Sequence, residues 1–315
     1  MASPPDHFLL VGHAQDAVCQ MVGAALEECG YLVTVTSAPL AAPFSLRWRI
    51  TNERMKDTKG WSGVDFDFED IAGVLLRPSA GVGTPDGWNA KDLAYMQIET
   101  QAALLAWVCD LRCPVINQPS ADVWFRPQRT YFEWHSHFVR CDLPALEHLC
   151  VTNDIGEARA YAQYFDGRAT YAPLTSLSRY AVTEPHHWEE LAKVMVHVPV
   201  CLLPPANGRS TYATVIGEDV VWNQNITFDA SPMEPGLVML AKTLRLDFIQ
   251  IEVSTGLGGV YCVTADPNPL LERHDAGAQS AIIAKLVERL QSDHPASQKL
   301  PREVIALINR REFAA

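Results

Sequence analysis

The sequence is short of positive charge. Against 37 Asp and Glu stand 25 Lys and Arg, a formal net charge of −12. A chain so acidic lacks the basic footprint of a nucleic-acid binder, although a local basic pocket for phosphate is compatible with it. The shortage is sharpest in lysine, which is absent between Lys91 and Lys193. No apolar run approaches the roughly 18 residues of a membrane span. The opening MASPPDHFLLVGH has no basic segment ahead of its apolar residues, so neither a membrane partner nor a secretory signal is expected. The eight Cys form no CxxC pair, Cys109 and Cys113 being the nearest neighbours. That scatter argues against a zinc motif and a disulfide framework, and the expectation is reduced thiols in a cytoplasmic protein. GxGxxG, GxxxxGK[ST] and GxSxG are all missing, which leaves dinucleotide, P-loop and nucleophile-elbow chemistry unsupported.

With 315 residues, 48% hydrophobic and 20% charged, the chain is long enough for two or three subdomains. Residues 7–12 read as a buried strand and 16–30 as an amphipathic helix stopped by Gly30. A second strand covers 31–36, and this β-α-β start points to an open α/β sheet. Residues 38–70 are irregular and hold an acidic cluster at Asp65, Asp67, Glu69 and Asp70. Residues 71–76 form another buried strand, ending at Arg77, where open α/β sheets place ligands; an ordinary surface Arg is the other reading. A helix over 86–107 and a short strand at 115–119 complete this part. Helices follow at 129–139, 155–164 (N-capped by Asn153 or Asp154), 183–194, 235–244 and 278–290, and a closing segment covers 300–313. Strands are expected at 149–152, 169–174, 198–203, 212–216 and 220–222. His135 and His137 lack partners at metal-ligand spacing.

One stretch concentrates chemistry. In residues 244–269 the apolar runs 248–253 and 260–263 flank Gly256-Leu257-Gly258-Gly259, the pattern of a β-hairpin. Glu252 lies on its first strand; Asp266 and Asn268 lie at the end of its second. Two readings stand: a hairpin whose polar residues face water, or a set of hard oxygen donors suited to Mg²⁺.

The same stretch resembles the ATP-grasp superfamily, in particular its glutathione-synthetase-like and peptide-ligating branch. Leu246-Asp247-Phe248 before Glu252 is similar to that family's first metal strand, and Asp266-Pro267-Asn268-Pro269 to its closing segment. Val115-Ile116-Asn117-Gln118-Pro119 resembles the strand that precedes the nucleotide-binding lobes. The resemblance implies an N-terminal open α/β domain over 1–120, followed by two α+β lobes. The small lobe spans 121–203, and the large lobe with the metal hairpin spans 204–315. It implies ATP and Mg as cofactors, with Glu252, Asp266 and Asn268 as metal ligands. Arg129 is implied on the phosphates, Thr175, Ser176 and Ser178 as hydrogen-bond donors over them, and Leu202 and Leu203 in the hinge against adenine. Arg179 is implied as the catalytic cation, and Arg77 and Asn117 as substrate-binding residues.

The sequence departs from the family at four places, the first being Arg129, which falls near one of the two lysines that the family places on the phosphates. Ala172 in Tyr171-Ala172-Pro173 stands where the family has lysine, Tyr212 where it has arginine, and Asp266 where Glu is usual. Arginine can replace lysine on phosphate, because it keeps its charge and binds bidentately. Two functions follow from the resemblance. One is an ATP- and Mg-dependent carboxylate–amine ligase working through an acyl phosphate on a small-molecule carboxylate and an amine or peptide. The other is a degenerate ATP-grasp-like protein without ligase turnover that acts as a nucleotide-binding or regulatory partner subunit. Assembly into a homo-oligomer is left open.

Overall fold

The structure is a computed structural model that describes residues 6–37, 59–61, 64–67, 71–77, 87, 89–118, 129–174, 176–205, 208–256 and 259–292. The closing segment at 300–313, the hairpin turn at 257–258 and Thr175 lie outside the described residues. The chain falls into two compact units. The first joins Met1–Trp124 to Arg245–Phe248 and Leu270–Ala315; the second joins Phe125–Leu244 to Ile249–Pro269.

The first unit is an open α/β layer. Strands β1 (His7–Val11), β2 (Leu32–Thr36), β5 (Ile71–Leu76) and β6 (Val115–Ile116) form one parallel sheet in the order β2-β1-β5-β6. β1 and β5 are buried along their whole length, as central strands covered on both faces must be. Leu9, Val11, Val74 and Leu76 pack on one side against Leu104, Trp107 and Val108 of α2 (Ala90–Asp110). Two helices are associated with the remaining surface: α1 (Ala17–Glu28), N-capped by the Asp16 carboxylate, and α7 (Ala276–Gln291), which contacts α1, β5 and β6. α7 comes so close to β5 that a Cβ on Gly73 would lie 2.9 Å from the Leu290 carbonyl oxygen. A small hairpin, β3 (Lys59–Trp61) and β4 (Val64–Asp67), lies within the stretch read as irregular.

The second unit carries two four-stranded sheets. In the first, β7 (Cys150–Thr152), β10 (Val200–Leu203), β8 (Ala169–Pro173) and β9 (Tyr180–Val182) lie in that order, with antiparallel pairing throughout. Helices α4 (Ile155–Gln163) and α5 (Pro185–Met195) cover one face through Ala158, Tyr161, Leu191 and Met195. In the second sheet the order is β12 (Asp219–Trp222), β11 (Arg209–Ile216), β13 (Phe248–Gly256), β14 (Gly259–Asp266). Helix α3 (Tyr131–Arg140), closed by a Thr130–Glu133 capping box, contacts β14 and α6 (Glu234–Leu244). This is the α/β layer followed by two α+β parts that the sequence leads one to expect. The hairpin at 248–266 forms as read and extends further at both ends. No described helix is long and apolar enough to cross a membrane.

Candidate functional site

The site grows out of an alternation in β13. Gln250, Glu252 and Ser254 point to one face of the sheet, and Ile249, Ile251 and Val253 to the other. In an ordinary half-exposed sheet the polar face would meet water. Here both faces are covered: Gln250 is 1% exposed, Glu252 5% and Ser254 8%. Pairing with β14 adds Thr264, directly opposite Glu252, and Asp266, opposite Gln250, to the same polar face. From β11, Ser210 reaches this face, and Thr214, fully buried, lies on the same strand side as Ser210 and Tyr212. Burying so many polar groups costs free energy unless each finds a partner.

Glu252 finds two. Its Oε1 accepts from Arg179 Nη2 at 2.8 Å and from Ser210 Oγ at 2.7 Å, in an ion pair with side-chain exposures of 34% for Arg179 and 6% for Glu252. Arg179 arrives from the loop between β8 and β9. Tyr131 pins that loop by donating its hydroxyl to the Leu177 carbonyl at 2.8 Å, and Ser176 Oγ accepts from the Ser178 amide at 2.9 Å. Burial pushes the Tyr131 phenol up to about 12; the neighbouring Arg179 guanidinium pulls it down, and Glu252 adds to the rise. For Arg179 itself, burial lowers the pKa, but Glu252 leads the opposing effects and the net shift is upward.

On β14 and just beyond it, two polar atoms find no donor among the described residues. Thr264 Oγ1 and Asn268 Oδ1 are buried and make no hydrogen bond. Asn268 is held in place through its backbone, whose amide donates to Asp266 Oδ1 at 2.9 Å. An amide oxygen, a hydroxyl and two carboxylates are the donor types that suit a hard divalent cation. The set is sparse in charge, since no group of three or more His, Cys, Asp and Glu able to hold a metal occurs among the described residues.

The second unit also holds an apolar cluster. Tyr131, Leu146, Ala172, Cys201, Leu203 and Val263 are buried together, with Leu149, Leu174, Leu177 and Tyr261 packed against them. The cluster takes side chains from both sheets of the second unit. Ala172, where the resemblance leads one to expect lysine, is fully enclosed in it and paired with Cys201 across the strands. Leu202 is buried and Leu203 ends β10, each paired with β8; Pro204 and Pro205 follow and offer no amide hydrogen. Arg129 stands beside α3 with its guanidinium 5.6 Å from the Trp134 ring centre. Of the residues singled out in the sequence, Arg179, Glu252, Asp266 and Asn268 come together around the hairpin, with Ser176 and Ser178 in the adjoining loop. Thr264, Ser210 and Tyr131 join them and went unnoticed there. The signal for Ser210 and Thr264 is their two-residue spacing from Tyr212 and Asp266.

Arg77 and Asn117 belong to the first unit, where the structure gives both packing roles. Arg77 is 1% exposed, its Nε donates to Asp16 Oδ2 at 3.0 Å, and its guanidinium lies 5.7 Å from the Phe248 ring centre. Gly12 leaves room for it, because a Cβ there would press on Cys19 Sγ at 2.6 Å and on Arg77 Cγ at 3.1 Å. Asn117 adopts a left-handed backbone (φ 59°), is 5% exposed, and engages both backbone groups of Phe248. These side chains are enclosed and hydrogen-bonded within the first unit. His135, also weighed as a metal ligand, bonds its Nε2 to the Leu146 carbonyl at 2.9 Å.

No family model matches the sequence, and no curated protein matches it. Solved structures do match. A RiPP-associated ATP-grasp ligase of Chryseobacterium gregarium, in complex with ADP and a leader and core peptide, aligns with TM-score 0.71 at 15% identity. The alignment covers 92% of this chain and 98% of that one. The macrocyclase MdnC of Microcystis aeruginosa MRC, bound with precursor peptide MdnA, aligns with TM-score 0.69 at 13% identity, over 91% of this chain and 100% of that one. The ATP-grasp ligase PsnB, complexed with a phosphomimetic variant of its minimal precursor, Mg and ADP, aligns with TM-score 0.69 at 15% identity over 91% and 100%. At such identities the likeness is one of fold.

Proposed function

We propose that this chain, which has the ATP-grasp fold, is an ATP- and Mg-dependent ligase that joins a carboxylate to an amine through an acyl phosphate, with a peptide as one substrate. The observation that carries the reading is the buried polar face of β13 and β14. Thr264 Oγ1 lies there opposite Glu252, and Asn268 Oδ1 follows two residues beyond Asp266, both buried and without a donor among the described residues. Leaving such atoms unpaired costs about 1–3 kcal/mol each, which a bound cation and its ligands offset. Glu252, Asp266, Asn268 and Thr264 would hold the metal, which would supply positive charge to the transferring phosphoryl group. Arg179 and Arg129 supply positive charge toward the phosphates, and the apolar cluster around Leu203 and Val263 excludes water. The substrate carboxylate oxygen takes the terminal phosphoryl group and ADP departs. The amine nitrogen then attacks the acyl carbon, loses its proton, and inorganic phosphate leaves. The peptide assignment draws on the structural neighbours, which were solved with precursor peptides.

A second reading, nucleotide binding without turnover, is favoured by Ala172. Its enclosure among apolar side chains leaves no room for the cation that the family places there. ADP release, followed with ATP, Mg²⁺ and pools of carboxylates, amines and acidic peptides, separates the two. ADP formation that depends on both carboxylate and amine supports the ligase. Measurable ATP binding with no ADP from any pool supports the second reading, and no binding at millimolar Mg–ATP overturns both.

A further inference from the structure

The carboxylate best placed to hold a metal already holds a cation of the chain's own. One oxygen of Glu252 takes both the Arg179 guanidinium and the Ser210 hydroxyl, with the Glu252 side chain almost wholly removed from solvent. A charge-assisted bond in such surroundings is strong. It is also a built contact. Leu174 and Leu177 seat the β8–β9 loop on the apolar cluster, and Tyr131 ties the Leu177 carbonyl down. A divalent ion at the same oxygen would face the guanidinium at short range, where like charges repel strongly. Arg179 is one-third exposed, enough to move off the carboxylate, and arginine keeps its charge and matches phosphate oxygens with a two-pronged geometry. The sequence from 92 to 192 contains no lysine that could take that part.

We infer that Arg179 is a resident counter-ion that competes with the divalent cation for Glu252, so that the metal enters tightly only together with a polyphosphate whose oxygens draw Arg179 away. The inference rests on the Mg–nucleotide reading above and adds an order of events to it: nucleotide and metal arrive as a pair, and metal alone is kept out.

Mn²⁺, whose free form is counted by electron paramagnetic resonance, tests this on the full chain with and without AMPPNP. Wild type binds Mn²⁺ weakly alone and markedly more tightly with AMPPNP. Arg179→Gln binds Mn²⁺ alone at least about tenfold more tightly than wild type, and AMPPNP improves it less. Tyr131→Phe, which loosens the loop and leaves Arg179 in place, gives a smaller rise in the same direction. Glu252→Gln removes the gain from the Arg179→Gln background. Thermal melting of each variant confirms that it is folded. Equal Mn²⁺ affinities of wild type and Arg179→Gln without nucleotide, while AMPPNP still tightens both, overturn the inference and leave the Mg–nucleotide reading standing. Absence of any Mn–AMPPNP binding in both proteins overturns that reading, and the inference with it.

Discussion

Thr264 stands directly across the β13–β14 ladder from Glu252, on the same face of the sheet. In the proposed cation site a second carboxylate here would share the metal with Glu252, whereas a hydroxyl would add only a neutral oxygen. A single substitution at Thr264 would therefore change the charge of the proposed site.

Thr264→Glu places like charges opposite each other, a destabilising arrangement in a sheet. The variant should melt below wild type in the presence of a chelator and gain more stability from Mg²⁺ than wild type does. Differential scanning fluorimetry with a Mg²⁺ titration reads both effects, and a Mg²⁺ response no larger than that of wild type would place the cation site elsewhere.

Ala172→Lys introduces the cation that the resemblance to ATP-grasp proteins implies at this position. Its Cβ sits in a closed apolar cluster, so an ammonium group introduced there is buried without a partner. The expected cost is at least about 3 kcal/mol in chemical denaturation. A loss below about 1 kcal/mol would mean that the lysine reaches a polar opening.

Asn117 clasps Phe248 as a strand partner would, with Nδ2 donating to the Phe248 carbonyl and Oδ1 accepting from its amide, both at 2.8 Å. Asn117→Ala strands both buried groups and puts a Cβ residue with no amide into a left-handed backbone, for an expected loss of about 2–4 kcal/mol. Asn117→Gly keeps the backbone and loses only the two bonds, so it should fall between wild type and the alanine variant.

Much of this framework was legible in the sequence, and the misses share a cause. Helices α1, α4, α6 and α7 announce themselves by apolar periodicity and local caps, and the hairpin by its glycine turn between apolar runs. β9 is three residues long and forms only because β8 lies beside it, so no local pattern marks it. The pairing of Thr264 with Glu252 depends on a register shift immediately after Glu252, and residue spacing alone does not contain it. The Arg179–Glu252 pair joins residues 73 positions apart. Arg77 and Asn117 were read for the chemistry of their side chains. Their partners, Asp16 and the Phe248 backbone, are supplied by the tertiary fold.

His274 brings a pH dependence to the first unit. Burial lowers its pKa to about 4; Asp275 pulls it up and Arg273 presses it further down. The folded protein therefore keeps the imidazole neutral where the unfolded chain, titrating near 6.5, takes up a proton. The contribution is fully present above pH 6.5 and is lost as the pH falls toward 4. His7, also lowered by burial, acts in the same direction. Stability should drop by about 2 kcal/mol between pH 6.5 and pH 5 on account of His274. In His274→Gln the slope of unfolding free energy against pH over this range should flatten, and an unchanged slope would assign the acid sensitivity to other groups.

The return of α7 to the N-terminal sheet, marked by the tight approach of Gly73 to the Leu290 carbonyl, has a consequence for synthesis. The first strand of that sheet leaves the ribosome early, but the helix that packs on β5 is not made until residue 291. Most of the second unit is encoded in between and is complete by Pro269. The first unit thus spends most of translation with apolar strands awaiting their cover, while the second can close upon itself. Chains ending before Ala276 should yield an aggregation-prone amino-terminal part, however well the middle of the molecule has folded.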